Sequence, residues 1–147
     1  MDSRTFFYEF GKELYAIDGL YEDYARSKNV KGNLLWVLYA LNDGEKHSQI
    51  QIAKDWEMPK TTVNTLVLEL FNKGYLIMEQ IPGEKRQMSI CLNAEGEKFA
   101  DSALKDLYAL EKRVYESLPF SQKDFIQNLK KMKQTLMQEG ISGGKEK

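Results

Sequence analysis

The chain has 147 residues, 42% apolar and 29% charged, with 21 lysines and arginines against 22 aspartates and glutamates. That length supports one ordinary core, no apolar run nears the ~20 residues that span a bilayer, and the opening MDSRTFFYEFGKELY lacks the continuous apolar segment of a secretory signal. One cysteine, Cys91, excludes an internal disulfide, and with a single histidine, His47, no zinc site is expected within one chain; the sequence reads as cytoplasmic, without cofactor or membrane partner.

The net charge of −1 argues against a uniformly basic nucleic-acid binder, but the charge is uneven: acids outnumber bases over residues 1–45, and lysines dominate residues 121–147. Over residues 4–28, Phe7, Phe10, Leu14, Ile17, Tyr21 and Tyr24 recur at steps of three and four, the seam of a helix laid against a partner helix. Gly11 and Gly19 each weaken that helix by about 0.5–1 kcal/mol relative to alanine, so packing has to hold it. VKGN at 30–33 interrupts, a largely apolar helix follows over 33–41, and Asn42-Asp43-Gly44 forms a turn. Ser48 with Gln51 three residues later fits a capping box, so a short helix is predicted from about residue 49, burying Ile52, Ala53 and Trp56. Pro59 suits the first turn of another helix, which buries Val63, Leu66, Val67 and Leu70 and stops at Gly74.

Thr61, Thr62, Asn64 and Thr65 stand together early in that helix although all are mediocre helix formers, as though placed for contact. After Gly74 the period falls from 3.6 to 2: YLIMEQ and QMSICLN read as two strands joined through IPGEKR. Helix, turn, helix and hairpin together make a winged helix. A long helix over 93–118 follows, capped by Asn93 and striped by Phe99, Ala103, Leu107, Leu110, Val114 and Leu118. Pro119 ends it. A last helix from Ser121 is expected to hold Phe125, Leu129, Met132 and Leu136 inside, and EGISGGKEK reads as a disordered tail. The fold class is therefore mainly α with a small β-hairpin wing, a winged helix-turn-helix at 31–92 between a helix at 1–30 and two helices with a tail at 93–147.

In this order and spacing the sequence resembles the MarR family of bacterial transcriptional regulators. TTVNTLVLELFNKGYL is similar to the family's Thr-Val-x-x-Leu-Val-x-x-Leu-x-x-x-Gly-Leu pattern, CLNAEGEKFA to its Leu-Thr-x-x-Gly segment, and PGEKR to its wing signature Asp-Pro-x-Asp-x-Arg. Thr65 and Met78 stand where many members carry arginine, and Asn93 where threonine is usual, so the recognition surface is less basic. The resemblance implies a homodimer with interleaved terminal helices, 1–30 and 93–147 being dimerisation regions. It also implies binding to a palindrome in double-stranded DNA and, in many members, a small aromatic or anionic effector held between the dimerisation and DNA-binding regions.

On that reading Lys60, Thr61, Thr62, Asn64 and Thr65 face the major groove, where asparagine pairs with adenine and the threonine methyl meets thymine. Ser48 and Gln49 reach phosphates. Lys85 and Arg86 at the wing tip enter the minor groove, with Glu84 positioning Arg86. Phe7, Phe10, Leu14, Leu118, Leu129, Met132 and Leu136 form the dimer seam, and a repressor's effector would lie near Tyr24, Trp36 and Tyr39. His47 reads as a surface residue before a cap and Cys91 as inertly buried in mid-strand. The alternative is a winged-helix protein-interaction module without specific DNA binding. No nucleophile motif, phosphate-cradling loop or metal spacing supports an enzyme.

Overall fold

The computed structural model describes residues 1–141. Among these residues six helices and three short strands follow in order: α1 Ser3–Ser27, α2 Gly32–Leu41, β1 His47–Ser48, α3 Gln49–Asp55, α4 Lys60–Asn72, β2 Leu76–Gln80, β3 Met88–Leu92, α5 Ala94–Ser117 and α6 Gln122–Glu139. The expected tail falls, from residue 142 on, outside the described residues.

Side-chain caps set the starts of α3, α5 and α6. Ser48 Oγ accepts from Gln51 N, Asn93 Oδ1 from Gly96 N and Ser121 Oγ from Asp124 N, each satisfying a donor that the first turn leaves unpaired. Pro59 is the N-cap of α4, immediately before the first turn expected to hold it. Gly74, at φ +78°, takes the left-handed conformation that lets the chain leave α4 and enter β2.

The hairpin β2–β3 is antiparallel, with Leu76 opposite Leu92 and Met78 opposite Ile90. A third strand was not foreseen. β1 pairs His47 with Ile90 and Ser48 with Ser89, giving the sheet order β1-β3-β2. Two residues show no alternation, so nothing local announces them; β3 recruits them because its second edge is otherwise open. His47 is accordingly a half-buried strand residue, its Nε2 2.9 Å from Asp43 Oδ1. Cys91 lies in mid-strand, half-buried instead of fully buried, on the face of β3 opposite the fully buried Ile90.

The core lies among α2, α3, α4, the sheet and the first half of α5, with Leu35, Leu38, Leu41, Leu70, Ile90 and Leu104 its largest fully buried side chains. Trp56 is half-buried at its edge, stacked on Trp36 at 5.0 Å between ring centroids. α6 departs from expectation. No residue of it is buried: Phe125 is exposed, and Leu129, Met132 and Leu136 are half-buried. Among the described residues its apolar stripe is only partly covered, with Met132 and Leu136 facing Phe6 and Phe7 of α1 across a crevice.

Candidate nucleic-acid interface

α4 turns 100° per residue, which places Thr61, Thr65, Leu68 and Asn72 opposite the buried Val63, Leu66, Val67 and Leu70. All four outward residues are exposed. Asn64 flanks this stripe on one side and is exposed; Thr62 and Glu69 flank it on the other and are half-buried. There Thr61, Thr62 and Thr65 border a crevice shared with Glu22, Lys31 and Asn33, and Lys31 Nζ lies 3.3 Å from Glu69 Oε1. The structure thus brings Thr61, Asn64 and Thr65 to an open face and turns Thr62 toward the junction of α1 and α2. Leu68 and Asn72 escaped sequence reasoning; their phase, three and seven residues on from Thr65, carried the signal.

Thr65 Oγ1 donates to the Thr61 carbonyl oxygen at 2.9 Å, the back-bond that a threonine makes inside a helix. Lys60 stands exposed at the first helical position, where backbone N–H groups lack intrahelical partners. Ser48 caps α3, so its hydroxyl oxygen already accepts from Gln51 N, and Gln49 beside it is half-buried. In the wing, Ile81 N donates to Gln87 O and Glu84 N to Ile81 O, with Gly83 at φ +83° in the turn between. Glu84, Lys85 and Arg86 are all exposed at this tip, and among the described residues no salt bridge joins Glu84 to Arg86.

The aromatic residues nominated for an effector do not share one site. Tyr24 lines a mainly apolar cavity of about 420 Å³ between α1 and α5, together with Leu20, Tyr21, Leu107, Glu111 and Leu118. Its hydroxyl donates to Ala103 O. Trp36 and Tyr39 instead pack in an aromatic cluster against the core, Trp36 on Tyr21 at 4.9 Å and Tyr39 on Tyr108 at 5.3 Å. Glu111 joins the two groups: its carboxylate accepts from both the Tyr21 and the Tyr39 hydroxyl, each at 2.8 Å. Burial, reinforced by the bond to Glu111 and its negative charge, pushes the Tyr21 phenol up to about 12 and raises that of Tyr39 as well. Sequence reasoning passed over Glu111 because its partners lie 72 and 90 positions away.

Among the described residues no helix is long and apolar enough to cross a membrane. No protein-family model and no curated protein matches the chain. Solved structures do. NMB1585, a MarR family regulator from Neisseria meningitidis, superposes with a TM-score of 0.73 at 19% identity, over 90% of this chain and 96% of that one. Overoxidized AbfR bound to DNA gives 0.65 at 16% identity, over 91% and 93%. Staphylococcus aureus MarR in complex with salicylate and kanamycin gives 0.64 at 19% identity, over 92% and 90%. The fold of this chain is that of the MarR-family winged-helix regulators.

Proposed function

We propose that this protein is a sequence-specific DNA-binding transcription regulator that acts as a homodimer on a palindromic site. The observation that carries the reading is the helix-turn-helix itself: α4 keeps Thr61, Asn64 and Thr65 exposed on one face while burying Val63, Leu66, Val67 and Leu70 beneath. A row of poor helix formers held open by a well-buried helix fits base contact. Lys60 at the start of α4 and Lys85 and Arg86 at the wing tip supply the positive charge for phosphates and the minor groove. Ser48 and Gln49 sit at the start of α3, where the first helix of this motif crosses the backbone. That a protein of the same fold has been seen on DNA agrees with this use.

Residues 1–30 and 93–147 serve in this reading as dimerisation regions around the DNA-binding unit at 31–92. Phe7, Met132 and Leu136 line one crevice between α1 and α6, Leu118 lines the α1–α5 cavity, and Leu14 is exposed. A second copy would cover them. A small aromatic effector fits the α1–α5 cavity through Tyr24, and a salicylate complex of the same fold is in keeping with such a ligand.

Selection of bound duplexes from a random pool, at roughly physiological salt where nonspecific binding fades, tests the reading. The expected result is an inverted repeat with half-sites about one helical turn, ~34 Å, apart. Folded protein that enriches no sequence would sink it and favour a protein-interaction module.

A further inference from the structure

The outward stripe of α4 is unusual for a base-reading surface in what it lacks. Thr61, Thr65, Leu68 and Asn72 carry no formal charge, and Leu68, 44% exposed, is the bulky side chain at its centre. Guanine presents two acceptors in the major groove, N7 and O6, and is read best by arginine or lysine; cytosine presents a donor; thymine presents a methyl group beside one acceptor. Leu68 has neither donor nor acceptor. Pressed onto guanine or cytosine it would strip water from polar edge atoms and leave them unpaired, which is costly. Pressed onto thymine it buries a methyl against a methyl.

Thr65 reinforces this selectivity. A hydroxyl offers one proton, and that of Thr65 is already donated to the Thr61 carbonyl. What remains for a partner is the oxygen's two lone pairs and the γ-methyl, none of which serves the acceptors of guanine. Thr65 and Leu68 are neighbours on the helix surface, three residues apart, so the two methyl-bearing side chains form one small apolar patch on the reading face. We infer that Leu68 and Thr65 read thymine C5-methyl groups, so that each operator half-site carries T·A pairs opposite the middle of α4. The inference rests on the DNA-binding function proposed above and names what that site selects.

The test uses the selected operator and a copy in which deoxyuridine replaces the thymines of the central half-site positions, removing the methyl and nothing else. Burial of one methyl-sized group predicts about a fourfold rise in Kd for each contacted thymine. In Leu68→Ala, whose side chain is exposed in the free protein and whose loss leaves the core intact, that penalty shrinks toward none at the position Leu68 touches. Replacing a central cytosine of a mismatched site by 5-methylcytosine should recover part of the affinity. Equal affinity of the wild-type protein for the thymine and uracil operators, or a selected half-site with G·C pairs at its centre, would overturn the inference while leaving sequence-specific binding intact. Failure to select any sequence would overturn both.

Discussion

The two halves of α5 differ more than their sequence does. Its apolar stripe runs on without a break, yet Leu107 is 2% exposed and Leu110 and Val114 are 45% and 48% exposed. The first half packs against α2 and β3 as part of the winged-helix body. The second half, with most of α1 and all of α6, keeps helical amphipathicity and is at most half-buried by the described residues of its own chain. Of α1 only Ala25, near its end, is buried. Two physical regimes therefore share one chain: a core closed by local and sheet contacts, and a set of apolar seams left largely open on the single chain. Intact periodicity across the boundary is what a second copy would need.

A core truncation and a seam substitution separate the two regimes. Leu35→Ala, at a side chain with 0% exposure, removes three carbons from the middle of the body and should cost about 2–5 kcal/mol. Chemical denaturation should show that loss at every protein concentration. Leu14→Glu, at a residue 54% exposed in the single chain, should leave the body folded and instead weaken self-association. A carboxylate buried without a partner costs about 3 kcal/mol or more, over a hundredfold in Kd. Sedimentation equilibrium should then find single chains for the variant and, on the proposed homodimer, pairs for the wild type. Wild-type mass for Leu14→Glu would break the comparison, since the seam would not be an interface.

One substitution should change sign between the regions. A Cβ on Gly96 would collide with the Tyr75 carbonyl, because α5 begins hard against the strand that follows α4. Asn93 N donates to that same carbonyl at 3.0 Å, and Asn93 Nδ2 to Gly74 O at 2.7 Å, so the backbone there is pinned. Gly96→Ala should destabilise by about 1–3 kcal/mol. Gly19, in mid-α1, has open space around it, and Gly19→Ala should stabilise by about 0.5–1 kcal/mol through helix propensity alone. Thermal unfolding of the two variants decides it. A loss at both positions would mean that α1 is as tightly enclosed as the start of α5, against the distinction drawn above.

What was legible in the sequence follows the same division. Helix starts were readable because Ser48, Asn93 and Ser121 each cap through an interaction only three residues long. The wing was readable from its change of period. β1 was not, since a two-residue strand exists only through its partner Ile90 and Ser89. The face of α4 was legible as a cluster of Thr61, Thr62, Asn64 and Thr65, but its phase was not followed to Leu68, nor was Thr62 recognised as turned aside. The resemblance grouped Trp36 and Tyr39 with Tyr24 at the junction where the family's effector crevice forms; the fold sends them into the core's edge while Tyr24 borders a cavity. Asn93 shows the opposite gain. In place of the threonine usual in the resembling family it both caps α5 and reaches back to Gly74 O, two tasks that its amide performs with separate atoms.

A further modest effect lies at the border between the regions, where Glu111 of α5 holds Tyr21 of α1 and Tyr39 of α2. Both phenols are raised in the folded protein, first by burial and then by the bond to Glu111, Tyr21 to about 12 from an ordinary 10.0. The unfolded chain therefore ionises these groups first, and stability present below pH ~10 is lost as pH rises toward ~12. Tyr21→Phe removes one of the two phenols and should cost about 1 kcal/mol at neutral pH, the net worth of a half-exposed hydrogen bond. It should also make the alkaline decline shallower, because only Tyr39 and Tyr108 then carry raised phenols in this cluster. Denaturation of wild type and Tyr21→Phe across the alkaline range gives both readings. Parallel declines would show that the Tyr21–Glu111 bond does not tether α1 to the body. A shallower decline would fix the point at which the closed core hands over to the open seam.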